Sequence, residues 1–286
     1  MKKTLNSAAD REVLALIRDV AYASAPAWYG ATRRDLRMDV IAPKNREGHE
    51  PLPLVVWICG GAYRCVDHAV WVPEWVWLAR KGYVVASIEY RTVNEGGFEA
   101  AYADVKSAIR YLKAHAAEYC VDPRRVAVMG ESAGGTLASF AGLAGRDRTY
   151  DRGDWLDQDS AVNAVVDFYG IVDFAHDPIR VDGRDIPPFM MEDFLGLDYT
   201  PAQAAAASPM AYIAPDAPPF LIFHGTADDR VPVAQSESFY DALCRAGVPA
   251  DLYLLEGAGH GADAFYQPDK LAIVEAFLEK TLRDCR

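Results

Sequence analysis

Stretches of unbroken hydrophobicity alternate along this chain with stretches of helical spacing. Leu54-Val55-Val56-Trp57-Ile58 shows no inside-outside alternation, as a strand buried on both faces of a parallel sheet requires. Tyr83 to Ile88, Val126 to Met129, Ala161 to Tyr169 and Pro219 to Phe223 read the same way, and Asp251 to Leu255 reads as a further strand. Between them, residues 73–81, Phe98 to Glu118, the small-residue run after Ser132, Val233 to Ala246 and Leu271 to Arg283 carry helical periodicity. Arg34 to Ala42 alternates instead, with Leu36, Met38 and Val40 opposite Asp35, Arg37 and Asp39, which predicts a half-buried strand near a sheet edge. Near the start, Ser7 is placed to cap a helix running to about Tyr22, with Val13, Leu14, Ile17 and Val20 on one face. Phe174 to Thr200 has no clean period and contains Pro178, Pro187 and Pro188, so an irregular cap-like insertion is expected there. The predicted architecture is α/β, a doubly wound and mostly parallel sheet with helices on both faces. With no linker or repeat in view, one domain over residues 1–286 is enough.

Composition narrows the partners. About half the residues are hydrophobic, consistent with a large core, and the formal charge of −12 argues against nucleic acid and anionic membranes. Five scattered cysteines without Cys-x-x-Cys spacing predict reduced thiols rather than a disulfide framework or zinc site. Asp10, Arg11 and Glu12 interrupt any secretory apolar region after Met1-Lys2-Lys3, and no apolar run is long enough to span a bilayer. A cytoplasmic protein is expected, and its oligomeric state is not legible.

The candidate chemistry sits at the predicted strand ends, where doubly wound sheets bind ligands. Gly130-Glu131-Ser132-Ala133-Gly134 follows a strand and opens a helix, the order that lifts a serine Oγ above a sheet on a strained turn. Alone it is weak, since Gly-x-Ser-x-Gly arises by chance roughly once in ten chains of this length. Serine needs a base, and an imidazole with a free pKa of about 6.5 suits the task when a carboxylate fixes its tautomer. His260, in Gly257-Ala258-Gly259-His260-Gly261, lies in a loop able to bring the ring over Ser132. His115 falls on a helix, His49, His68 and His176 in polar loops, and His224 precedes the acidic pair as a core or supporting residue. Asp228 or Asp229 completes the order Ser, Asp, His, with Asp173 as an outside candidate. Oxyanion donors are expected from Ala133 N–H and from the Gly60-Gly61-Ala62 loop after the Leu54 strand. Tyr63, Trp71, Trp75, Phe189 and Met190 are candidate substrate contacts, although cap packing explains the aromatics equally well.

These motifs resemble the α/β-hydrolase superfamily. Within it, the chain is similar to carboxylesterases of the hormone-sensitive-lipase-like and feruloyl/acetyl-xylan esterase families. The resemblance runs through Cys59-Gly60-Gly61-Ala62-Tyr63, Glu89-Tyr90-Arg91, Gly130 to Gly135, Val165 to Gly170, His224 to Pro232 and Gly259-His260-Gly261. It implies Ser132, Asp228 and His260 as the triad, Gly61, Ala62 and Ala133 as the oxyanion hole, and no metal or cofactor. It also implies hydrolysis of small-molecule esters, with short acyl groups on sugars or aryl alcohols preferred because no long amphipathic lid is present. A serine peptidase related to prolyl-oligopeptidase catalytic domains and a non-catalytic hydrolase-like binding protein are the alternatives. Two positions depart from the family pattern: Cys59 stands for a histidine that braces the oxyanion loop, and Tyr63 for a tryptophan. A thiol is a poor hydrogen-bonding substitute, so Cys59 reads as a small buried residue.

Overall fold

A computed structural model describes residues 1–5, 11–27, 30–175, 180–181, 184–185 and 188–283 of the chain. In chain order its strands are β1 (Leu14–Ala27), β2 (Thr32–Pro43), β3 (Leu52–Ile58), β4 (Val84–Ile88), β5 (Val121–Glu131) and β6 (Ala164–Phe168). They continue with the short β7 (Arg180–Val181) and β8 (Arg184–Asp185), then β9 (Phe220–Gly225) and β10 (Ala250–Leu255). The helices are α1 (Val72–Arg80), α2 (Phe98–Ala114), α3 (Ala116–Tyr119), α4 (Ala133–Leu143), α5 (Pro188–Leu195), α6 (Pro201–Ala207), α7 (Val233–Arg245) and α8 (Pro268–Leu282).

Eight strands form one sheet in the order β1-β2-β4-β3-β5-β6-β9-β10. β2 runs antiparallel to β1 and β4, and every pairing from β4 to β10 is parallel. The uninterrupted apolar runs follow from burial of both faces. Leu54, Val56 and Ile58 of β3 pack with Val105 and Ile109 of α2 and Leu137 and Phe140 of α4. Val55 and Trp57 point the other way, onto Trp75 and Leu78 of α1 and Val274 and Leu278 of α8. The strands β3, β5, β6, β9 and β10 are consecutive neighbours in space, so the loops at their carboxyl ends converge. Ser132, Asp228 and His260 leave three of those ends.

Two expectations are corrected. The predicted N-terminal helix is strand β1, paired antiparallel with β2. Its apolar residues mimic helical spacing because bulges between Ile17 and Val20, and between Ala21 and Ala23, break the period of two; Asp19 adopts φ +56° there. Ser7, its expected cap, lies outside the described residues. The insertion after Phe174 is not wholly irregular. β7 and β8 pair antiparallel, and α5 opens on Pro188, a residue tolerated at the first helical position because that N–H has no intrahelical partner. Met191, Phe194 and Leu195 of α5 are buried at helical spacing.

Candidate active site

The turn at Ser132 is strained and enforced from three sides. Ser132 has φ +53° and ψ −121°, a conformation that L-residues rarely adopt. Its N–H donates to Phe168 O of β6 at 2.9 Å, and its carbonyl accepts Thr136 N–H at 3.1 Å to start α4. Around it the backbones approach too closely for side chains. A Cβ at Gly130 would lie 2.2 Å from Gly134 O, and one at Gly134 would lie 2.0 Å from Ile58 O. The glycines of the pentapeptide therefore let α4, β3 and β5 meet, and the serine is left projecting from the strand end.

His260 reaches this serine from the loop after β10. Its Nε2 lies 2.8 Å from Ser132 Oγ, and its Nδ1 lies 2.7 Å from Asp228 Oδ2. The Tyr169 ring packs edge-on against the imidazole at 4.8 Å. Because a carboxylate only accepts, Nδ1 carries the proton and Nε2 is free to take the one on Oγ. Asp228 is itself fixed: its Oδ1 accepts the N–H groups of Arg230 and Val231 at 2.8 and 2.9 Å. Burial opposes its ionisation, but hydrogen bonds from His224 and His260 and from the Val231 amide outweigh this and hold the carboxyl well below its usual range.

His224 is the supporting residue that its position in the sequence predicted. It is fully buried, with Nε2 2.9 Å from Val231 O and 3.4 Å from Asp228 Oδ2. Both neighbours are acceptors, so Nε2 is protonated and Nδ1 accepts from Ser236 Oγ at 2.7 Å. Of the paired aspartates, Asp228 is buried and faces His260, whereas Asp229 is exposed. Asp173 is buried and caps Ala175 N–H through its Oδ1.

Across from the serine, the loop after β3 turns sharply. Gly61, Ala62 and Tyr63 have φ of +131°, +52° and +59°, and a Cβ at Gly61 would meet Cys65 O at 2.0 Å. The N–H groups of Gly61, Ala62 and Ala133 donate to no acceptor among the described residues. The Gly60 N–H donates to Glu131 Oε1 at 2.5 Å. Ala133 opens α4, where the helix dipole also favours negative charge.

The candidate substrate contacts fare differently. Tyr63 is 2% exposed; its ring stacks on Phe194 of α5 at 3.8 Å, and its hydroxyl donates to Thr136 Oγ1. Trp75 is 1% exposed and packs on Trp57 at 4.3 Å. Both are interior packing residues, because Tyr63 docks the cap and Trp75 faces the sheet one turn before Leu78. Trp71 is half-buried against Tyr266 at 4.4 Å. Phe189 and Met190 fall on α5, but their side chains lie outside the described residues. Glu131 and Tyr169 were not singled out from the sequence; the one detectable signal was the carboxylate written inside the pentapeptide. Cys59 is buried, and burial together with the nearby Glu131 carboxylate pushes its thiol up to about 12. It is therefore a neutral thiol, and the four described cysteines are all free.

Comparison with known proteins places this geometry in a family. A family model described as BD-FAE matches residues 38–243, which include Ser132 and Asp228 but not His260. Among curated proteins, the chain is 33% identical over 226 residues to the esterase LipC of Mycobacterium tuberculosis, covering 75% of this chain and 54% of that one. The chain spans about half the length of the curated relatives it matches. Among solved structures it resembles a truncated form of a carbohydrate esterase from gut microbiota, with a TM-score of 0.78, 26% identity and coverage of 96% of this chain and 98% of that one. It also resembles the esterase Est2 of Thermogutta terrifontis with propionate bound, with a TM-score of 0.71, 28% identity and coverage of 92% and 90%. The strained serine, the parallel strand ends that bring histidine and aspartate to it, and the matched span agree: the chain belongs to the BD-FAE family of α/β-hydrolase-fold esterases.

Proposed function

We propose that this chain hydrolyses carboxylic esters through an acyl-enzyme on Ser132, with His260 as base and Asp228 as the carboxylate that orients it. The observation carrying this reading is the hydrogen-bonded line Ser132 Oγ–His260–Asp228, at 2.8 and 2.7 Å, above adjacent parallel strands. His260 Nε2 takes the Oγ proton as oxygen attacks the acyl carbon. The unpartnered N–H groups of Gly61, Ala62 and Ala133 hold the developing oxyanion. His260 then protonates the leaving alkoxide, and water repeats the sequence to release the acid. No step calls on a metal or cofactor.

The preferred substrates are short acyl esters of sugars or aryl alcohols. Two similarities favour them: one neighbour is described as a carbohydrate esterase, and another was solved with propionate. Tyr63 and Phe194 stack into one buried unit, which joins the cap helix to the oxyanion loop. Among the described residues, no helix is long and apolar enough to cross a membrane. A panel of p-nitrophenyl esters of rising acyl length, acetylated xylo-oligosaccharides, methyl ferulate and dipeptide amides tests the assignment. The expected order is acetyl and propionyl esters ahead of octanoyl, with amides unreactive. Amide cleavage exceeding ester cleavage would favour the peptidase alternative.

A further inference from the structure

The oxyanion loop lacks the histidine that the family resemblance places before its glycines, yet the loop is tied down. Tyr90 OH donates to Cys59 O at 3.0 Å, and Val93 N–H donates to Tyr63 O at 2.8 Å. These bonds hold the two ends of the turn. At Gly60, between them, the backbone N–H donates to a side chain, Glu131 Oε1.

We infer that Glu131 is a positioning residue for catalysis: its half-buried carboxylate replaces the missing histidine brace by accepting the Gly60 N–H, and so aims the next two amides, Gly61 and Ala62, at the oxyanion. This inference rests on the ester-hydrolase reading above. The placement follows from strand register. Ile58 of β3 pairs with Gly130 of β5, so the next residue of β5 stands beside Cys59 and Gly60. Side chains alternate between the two faces of a sheet, so Glu131 falls with Ala127 and Met129 on the face that carries Trp71 and Tyr169, from which its Oε1 reaches the Gly60 N–H. Gly60 is glycine for the same reason, because a Cβ there would lie 2.5 Å from Glu131 Oε1 and 2.8 Å from Glu131 O.

The rest of the surroundings fits a carboxylate that is held rather than solvated. The Trp71 indole and Tyr169 phenol face it, Cys59 and Tyr90 lie beside it as neutral groups, and His260, which becomes cationic during turnover, is close enough to favour its charged form. Burial raises the Glu131 pKa, while the Gly60 N–H and the approach of His260 work against that rise. A backbone amide left without its acceptor in such a site would turn toward another one, and the donors that follow it would turn with it.

Three variants separate an acceptor role from general packing. Glu131→Leu keeps the volume and removes the acceptor, Glu131→Gln keeps one carbonyl oxygen, and Glu131→Ala removes both volume and acceptor. With p-nitrophenyl acetate, Glu131→Leu and Glu131→Ala are expected to lower kcat by roughly 10–100-fold, below the full loss of an oxyanion donor, with KM changed less than about 3-fold. Glu131→Gln should recover at least about half of that loss on a logarithmic scale. Amide hydrogen exchange at Gly60 supplies a readout independent of turnover: protected in wild type and Glu131→Gln, fast in Glu131→Leu. Wild-type kcat and a protected Gly60 amide in Glu131→Leu would overturn the brace, as would equal kcat losses in Glu131→Leu and Glu131→Gln. Absence of Ser132-dependent turnover in the wild type would instead overturn the hydrolase reading, and the exchange measurement would still decide the brace.

Discussion

Replacing Asp228 with asparagine is expected to lower kcat by about 10⁴-fold, with the protein still folded. The direction follows from the partners of the two carboxylate oxygens. Oδ1 accepts the N–H groups of Arg230 and Val231, so an asparagine must place its carbonyl oxygen there. Its NH₂ then faces His260 Nδ1, which can only accept from it, and the ring proton moves to Nε2. In that tautomer His260 donates toward Ser132 Oγ and cannot take its proton. The same NH₂ also faces the protonated Nε2 of His224, so a stability loss accompanies the kinetic one. The pH dependence has a definite sign. A carboxyl held below its unfolded value contributes stability above about pH 3.9, and loses it as pH falls toward the folded value. Acid unfolding of the wild type should therefore be steeper below about pH 4 than that of Asp228→Asn. Parallel acid titrations by circular dichroism measure the difference, and kcat at neutral pH measures the tautomer effect.

Placing alanine at Gly134 is expected to destabilise the fold by about 3 kcal/mol or more and to remove most of the activity. The added methyl would stand 2.0 Å from Ile58 O and 2.8 Å from Cys59 O. Both obstacles are backbone atoms of β3 and the start of the oxyanion loop, so relief requires α4 to move away from the sheet. That movement separates Ala133 N–H, at the start of α4, from Gly61 and Ala62 on the other side. Gly247→Ala is the contrasting case. Gly247, unlike Gly134 in α4, has positive φ, at +78°, and nothing lies within 4 Å of its Cβ position, so only backbone strain of about 1 kcal/mol is expected there. Denaturant titration of the two variants separates the steric effect from glycine's conformational freedom.

The sheet and the hydrogen-bonded line Ser132–His260–Asp228 were legible in the sequence for one physical reason. Parallel strands buried on both faces leave long apolar runs, and their carboxyl ends are where unusual residues collect. Ser132, Asp228 and His260 each follow such a run, in an order that the topology then folds together. β1 was not legible, because its bulges at Arg18–Asp19 and Tyr22 break the strand period and imitate a helix. The aromatics near the loop were misleading for a different reason. Composition does not say which way a ring points, and Tyr63 and Trp75 point inward, onto Phe194 and Trp57. Glu131 lies inside the most conspicuous motif of the chain. Its role depends on the register of β5 against β3, which spacing along one strand cannot convey.

The central claim is that Ser132 is the nucleophile of an ester hydrolase. Steady-state turnover of p-nitrophenyl acetate by wild type and Ser132→Ala tests it most directly. Ser132→Ala is expected to lose roughly 10⁶-fold in kcat, to near the uncatalysed background, with an unchanged melting transition. Turnover by Ser132→Ala at the wild-type rate would contradict it.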